Sequence, residues 1–201
     1  MLPGREKELA LLENLYQENG FQFLILYGRR RVGKTRLLQE FARNHPVIFF
    51  SAQEKNEALN LKDFSASFRQ ALGYQAELSF QDWETAFTFL DDRQIDGKMV
   101  LIIDEFPYIA EDNPSVKSIL QHAIDHRFRQ KNFLLILCGS SVSFMEKEVL
   151  SAHSPLYGRS TAQCELKPFD YLDSACFFPD WSPENKLLAY GILGGIPAYL
   201  S

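Results

Sequence analysis

The run LILYGRRRVGKTRLL, Leu24 to Leu38, constrains the fold more than any other stretch of the chain. An apolar segment, FQFLILY from Phe21 to Tyr27, stops at a glycine. Gly-Lys-Thr follows a few residues later, and Leu37, Leu38 and Phe41 then recur with helical spacing over Thr35 to Asn44. Gly28, Gly33, Lys34 and Thr35 take the fixed places of G-x-x-x-x-G-K-[ST]. A loop of that pattern wraps its amides around an anion, with glycines where a Cβ would resist the turn. The helix after it offers free amides and the positive end of its dipole. Arg29, Arg30, Arg31 and Val32 fill the loop, and Arg36 follows it, completing the candidate phosphate-binding stretch. In such a loop the lysine, Lys34, reaches the β and γ phosphates, and the Thr35 hydroxyl ligates Mg²⁺. Chance alone produces the pattern in on the order of 1% of chains this long, and here it also sits between the strand and helix it requires. The arginine triplet has two readings. It adds positive potential over a phosphate or toward a partner, or it is a solvated loop balancing Asp104 and Glu105.

The same alternation of strand and helix runs through the next hundred residues. Arg5 to Tyr16 reads as a helix behind an irregular Leu2-Pro3-Gly4, and Val47 to Ser51 as a strand. Phe64, Phe68 and Leu72 repeat every four residues; Ser79 with Asp82 forms a capping-box pattern ahead of Trp83, Phe87 and Leu90. Met99 to Asp104 is a strand entered through Asp96-Gly97, and Asn113-Pro114 starts a helix carrying Val116, Leu120, Ala123 and Ile124. Phe133 to Ser141 is a fourth strand, and Thr161 to Leu166 a weaker fifth. Residues 1–167 therefore predict an α/β fold with a largely parallel sheet. After Pro168 the composition shifts to aromatics, prolines and short helical pieces, of which Glu184 to Tyr190 is the clearest. Residues 168–201 read as a small helical appendage, and the apolar ending GGIPAYLS as the start of something that continues in the natural protein.

Composition excludes several classes. A net charge of −5, with 23% charged residues, argues against a chain that coats nucleic acid non-specifically. Three cysteines without metal-ligand spacing imply no disulfide framework and point to a reducing cytosol. The longest apolar runs, such as Phe133 to Cys138, have about six residues where a membrane span needs roughly 18, and no leader pattern opens the chain. The expectation is a cytoplasmic protein with no membrane partner. His122 and His126 share a helix face at a spacing that suits Zn²⁺, yet no cysteine or acid pattern completes a site, which leaves surface histidines as the other reading.

A second constellation is MVLIIDEFPYI, an apolar strand ending in Asp104-Glu105. Asp104 is a candidate Mg²⁺ ligand through water, and Glu105 a candidate base for a water attacking a γ phosphate. Such a pair alone is also a common strand-end turn; behind a phosphate loop, the glutamate favours ATP hydrolysis over a GTPase or small-molecule kinase. No N-K-x-D-like string reads guanine. Ser140 and Ser141 end the fourth strand, at the edge where ligands of parallel sheets bind. They sense a γ phosphate, cap a helix, or do both. SPLYGRS places Arg159 before the fifth strand, either as an arginine finger in cis or toward a neighbouring subunit, or as a surface residue.

Together GREKEL, YGRRRVGKT, IIDEFPYI, CGSSVSFME, SPLYGRS and GGIPAYL, in this order along nearly the whole chain, resemble the archaeal-type ATPase family, a branch of P-loop NTPases near the STAND and AAA+ groups. The stretch between Ser51 and Lys98 carries little of the resemblance. The family implies a five-stranded parallel sheet of order 5-1-4-3-2 with a helical lid, here shortened. It implies that Gly4 and Arg5 pack beside an adenine, that Pro197 approaches the base, and that Arg159 responds to nucleotide. ATP and Mg²⁺ are the implied ligands. Self-association or a protein partner is a further expectation, and DNA only through a winged-helix or nuclease-like region that this chain lacks. Two functions use this one site: Mg²⁺-dependent ATP hydrolysis, and a nucleotide-driven switch with slow turnover. A P-loop kinase is a weaker third.

Overall fold

The computed structural model describes residues 4–73, 78–91 and 97–200. Leu2, Pro3 and Asp96 of the lead-in and strand entry lie outside them. Five strands form one parallel sheet: β1 (Gln22–Tyr27), β2 (Val47–Ser51), β3 (Met99–Asp104), β4 (Phe133–Gly139) and β5 (Ala162–Glu165). Their order is β2-β3-β4-β1-β5, the expected order read from the other edge, with the strand that feeds the phosphate loop inside the sheet.

Alternate residues of each strand enter opposite layers, as a period of two requires. On one face Phe23, Ile25, Phe50, Leu101, Ile103, Leu135 and Leu137 pack against α3 (Glu57–Ala71), α4 (Trp83–Asp91), α5 (Phe106–Asp112) and α6 (Val116–His126). On the other, Leu24, Leu26, Val100, Ile102, Leu134 and Ile136 meet Leu12 and Leu15 of α1 (Glu6–Gln17) and Leu37, Leu38 and Phe41 of α2 (Lys34–Ala42). β3 and β4 are buried along their whole length, which is why both read as continuous apolar runs. The first layer is aromatic at its centre. Phe64 meets Phe50 and Trp83 edge-on, at 5.3 and 5.4 Å between ring centres.

Three local expectations are corrected. Asp82, not Ser79, caps α4: its Oδ1 accepts the Thr85 amide at 2.6 Å. Helix α5 lies where the sequence reading placed no element; its Pro107 occupies the first turn, the one place a helix tolerates proline. Asn113 therefore terminates α5, and Ser115 precedes α6.

After β4 a short α7 (Val142–Phe144) continues as a π turn over Met145–Val149. Beyond β5 come α8 (Tyr171–Ala175), capped by the Asp170 carboxylate, then α9 (Pro183–Leu193), capped by the Ser182 hydroxyl, and α10 (Pro197–Leu200). This helical part is tied to the segment leaving β5 by the Phe169 amide, which donates to the Gly195 carbonyl at 2.7 Å. The approach is so close that a Cβ on Gly195 would lie 1.7 Å from the Phe169 oxygen. No helix among the described residues is long and apolar enough to cross a membrane.

Candidate functional site

The phosphate loop leaves β1 at Gly28, whose φ is +153°. A Cβ there would meet the Leu166 carbonyl oxygen at 2.2 Å, so the close pairing of β1 with the end of β5 demands glycine at the point where the loop turns away. Arg31 is held at a φ of 69°, and Gly33 caps α2 in the left-handed region. Lys34 is only 4% exposed, and its Nζ donates to the carbonyls of Gly28 (2.8 Å) and Arg29 (3.0 Å). Burial pulls its pKa below the usual lysine value, with Cys138 and the Glu105 and Asp104 carboxylates acting in the opposite sense.

The two motifs meet across the sheet edge. The Thr35 hydroxyl donates to Asp104 Oδ2 at 2.8 Å, and Asp104 is buried. Its other oxygen accepts the Glu105 amide at 3.1 Å. Glu105 itself has a φ of 55°, an unusual conformation for a residue with a side chain, at the turn from β3 into α5. Its carboxylate accepts two bonds from Ser140, one from the amide at 3.1 Å and one from the hydroxyl. Next to Asp104, burial pushes the Cys138 thiol well above its ordinary pKa. Ser141 occupies the position before α7 but caps it with no side-chain bond, whereas Ser140 is turned to Glu105.

A cavity of about 670 Å³ opens over these groups. Lys34, Thr35, Arg36, Glu105 and Ser140 line it together with Arg5, Arg30, Arg31, Val32, Gly33 and Pro197. Gly28 and Arg29 hold Lys34 by their carbonyls, and Asp104 lies behind Thr35. Gly4 does not line the cavity; it packs against Asp173 and Phe169. Arg5 lines it, but its fork is engaged by protein. Nη2 donates to the Val32 and Lys167 carbonyls at 3.0 and 2.6 Å, Nη1 meets Glu8 at 3.0 Å, and the guanidinium lies 4.2 Å from the Phe169 ring centre. Arg30 donates to the Tyr108 hydroxyl at 3.2 Å. Arg31 reaches the Tyr199 hydroxyl at 3.5 Å and stands 5.7 Å from that ring's centre.

Arg159 is elsewhere. It forks onto Asp125 of α6, with bonds of 2.6 to 3.0 Å, and donates to the carbonyls of Pro155 and Tyr157. His122 and His126 lie 4.4 Å apart between ring centres, and no group of three or more potential metal ligands is found among the described residues.

Sequence reasoning missed Phe169, Phe177 and Ala198, all of which line the cavity. The available signal was the aromatic cluster directly after Pro168, which spacing alone could not aim.

The comparisons with known proteins agree with this geometry. A family model described as an ATPase domain predominantly from Archaea matches residues 3–201. An uncharacterised protein of Methanocaldococcus jannaschii is 37% identical over 200 residues, which is the whole of this chain and 43% of that protein. An uncharacterised ATP-binding protein of the same organism is 47% identical over 47 residues, 23% of this chain and 80% of the relative. Among solved structures, the Walker-type ATPase of Pyrococcus abyssi superposes with a TM-score of 0.70 at 25% identity, over 98% of this chain and 65% of that one. The Cdc6p structure from Pyrobaculum aerophilum does so with a TM-score of 0.58 at 17% identity, over 90% and 49%, a likeness of fold. This chain thus spans less than half of the curated relative that it matches throughout. With the phosphate loop, the sheet order and the family model in agreement over nearly every residue, the chain belongs to the ATPase-domain family found predominantly in Archaea.

Proposed function

We propose that the chain is a Mg²⁺-dependent ATP hydrolase of AAA+/STAND type, with a core over residues 1–167 and a helical lid beginning at 168. The observation that carries this reading is the Thr35–Asp104 hydrogen bond, which joins the phosphate loop to the acidic strand end in the same cavity as Glu105. A hydroxyl beside a buried carboxylate is a hard-oxygen donor pair that fits Mg²⁺. When bound there by Thr35 and Asp104, the ion supplies charge neutralisation for the β and γ phosphates.

The loop amides and the start of α2 receive the phosphates, and Lys34 exchanges the Gly28 and Arg29 carbonyls for phosphate oxygens. Glu105 takes the proton of a water whose oxygen bonds to the γ phosphorus as the bond to the β-phosphate oxygen breaks. Phe169, Phe177 and Pro197 provide apolar surface for the base, while Gly4 and Arg5 hold that wall in place. Ser140 is the residue for the γ phosphate. Arg159, held by Asp125, is assigned to a neighbouring subunit's nucleotide rather than to its own cavity. The test is steady-state phosphate release from Mg-ATP, comparing wild type with Glu105→Gln after both are shown to bind nucleotide. Turnover lost with binding kept is the expected result; equal rates in the two proteins refute Glu105 as the base.

A second reading, a switch with slow turnover, is favoured by one observation. Arg31 of the phosphate loop touches Tyr199 of α10, and Pro197 borders the same cavity, so occupancy of the loop bears directly on the lid. Free cysteines at 138, 164 and 176 suit a cytoplasmic setting. A protein partner or a second copy fits a lid whose α9 exposes Leu187, Leu188 and Ile192. Contact with DNA is assigned to regions outside this chain.

A further inference from the structure

The nucleotide reading leaves the arginine triplet without assigned parts, and this inference rests on that reading. The three side chains do not act alike. Arg30 and Arg31 line the cavity, whereas Arg29 does not. The chain turns at Arg31, whose φ of 69° lies in the left-handed region, and the two neighbours reach different elements. Arg31 goes to Tyr199 of α10. Arg30 goes to Tyr108 of α5, whose hydroxyl accepts from its Nη2 at 3.2 Å.

Tyr108 is placed for this by its helix. Of the residues 106–110 that open α5, it alone is not fully buried. Its amide is bonded to the Glu105 carbonyl at 3.1 Å and its ring packs against the core, so the hydroxyl is a fixed point one helical turn beyond Glu105. A phenol accepts a hydrogen bond without cancelling the donor's charge. Among the described residues no carboxylate pairs with Arg30, whereas Arg5, Arg43, Arg129 and Arg159 are each held by an acid. Burial is the main reason that the Lys34 pKa is low, and the charge of Arg30 adds to it, so the two cations repel each other within the cavity.

We infer that Tyr108 aims Arg30 at the γ phosphate, giving the chain a second cation of its own for that group beside Lys34. Arg30 lies on the Glu105 side of the cavity, and the terminal phosphate is the one attacked by a water that Glu105 activates. Arg30 touches the phosphate; Tyr108 is a positioning residue. One of the five guanidinium donors is spent on the phenol, which leaves the rest of the planar fork for phosphate oxygens. Holding this long side chain before nucleotide arrives removes ordering that binding would otherwise have to impose. Arg159, forked onto Asp125, is not placed to do this within its own chain.

Calorimetry gives the affinity for Mg²⁺ with a non-hydrolysable β,γ-imido ATP analogue and, separately, for Mg-ADP. Wild type, Arg30→Ala, Tyr108→Phe and the double variant form a cycle, with thermal unfolding confirming that each is folded. Arg30→Ala should weaken the triphosphate analogue about tenfold, the scale of one charge-assisted hydrogen bond, and Mg-ADP far less. Tyr108→Phe keeps the ring and removes only the hydroxyl. About a threefold loss for the triphosphate is expected when Arg30 is present, and none in the Arg30→Ala background. Guanidinium ion, added well below denaturing concentrations, should restore part of the triphosphate affinity of Arg30→Ala and leave wild type unchanged. No loss, or an equal loss for both nucleotides, removes Arg30 from the γ phosphate and overturns the inference. A Tyr108→Phe effect that persists without Arg30 overturns the positioning role. Failure of wild type to bind either nucleotide overturns the nucleotide reading itself.

Discussion

Arg5 gives the sharpest test of how the site is held together. It is 4% exposed, and its guanidinium joins three segments remote in sequence: the start of α1, the phosphate loop through the Val32 carbonyl, and the exit from β5 through the Lys167 carbonyl. Its flat face also covers Phe169. Arg5→Lys keeps the charge and removes the fork. A single ammonium on a shorter stem satisfies one of the two carbonyls, so at least one charge-assisted bond of about 1.5–3 kcal/mol is lost. The stacked contact is lost with it, about 0.5–2 kcal/mol at a desolvated position. The sum is about 2–5 kcal/mol. For a domain of this size each kcal/mol lowers Tm by about 2–4 °C, so the expected decrease is about 4–20 °C.

The assay is thermal unfolding by circular dichroism, with nucleotide affinity measured below the transition. Affinity should fall too, because Val32 and Phe169 line the cavity. Glu8→Gln is the control for charge alone: an i,i+3 pair of this kind contributes about 0.3–0.5 kcal/mol, so its Tm should move far less. If Arg5→Lys melts within about 2 °C of wild type and binds nucleotide equally well, then the fork does not organise the site and the reasoning is wrong.

Other outcomes follow from single contacts. Gly28→Ala sets a Cβ against the backbone oxygen of Leu166, which cannot rotate away; destabilisation of about 1–3 kcal/mol in urea together with loss of nucleotide binding is expected, and a variant that binds normally would disprove the close approach. Thr35→Val removes the hydroxyl that meets Asp104 while conserving shape, so nucleotide affinity should become equal in Mg²⁺ and in EDTA; a wild-type metal dependence counts against the assigned ligand pair. The hydrogen bonds from Arg159 hold Asp125 below the ordinary carboxylate range. That pair's contribution is therefore complete above the unfolded value near 3.9 and is lost as pH falls through the lower folded value. Asp125→Asn should flatten the acid side of the stability profile, measured as Tm between about pH 2 and 6; an unchanged profile shows the pair to be idle.

Much of this molecule is legible from its residues because the strands carry their burial in their composition. MVLIID and FLLILCG are apolar at every position but the last, and both are buried on two faces, so neither could be mistaken for an exposed strand. The phosphate loop is legible for a different reason: backbone demands at Gly28 and Gly33 leave few other residues possible. What escaped depends on distance through space. Helix α5 is seven residues long and opens on Phe-Pro, so neither length nor propensity announces it. Arg5 lines the cavity, and the contacts that hold both its Nη atoms were not legible because they depend on where Val32 and Lys167 meet. Phe169 and Phe177 have nothing in their spacing to distinguish a cavity wall from an ordinary core.

The sheet order explains why two motifs far apart in the chain act at one point. β1 and β3 are not neighbours; β4 runs between them, so their ends are separated by two strand spacings, about 10 Å. The Thr35 hydroxyl nevertheless reaches Asp104, and it does so across the end of β4. That requires small side chains there, and the chain supplies Cys138, Gly139, Ser140 and Ser141 in succession. Gly139 has no room to be larger: a Cβ would lie 2.6 Å from the Met145 sulfur and 3.0 Å from Pro107. Cys138 lies against Asp104, and Ser140 binds Glu105. The strand that carries neither motif thus sets the gap between them, and its small polar end is the part of the sheet edge that meets both the Thr35–Asp104 pair and Glu105.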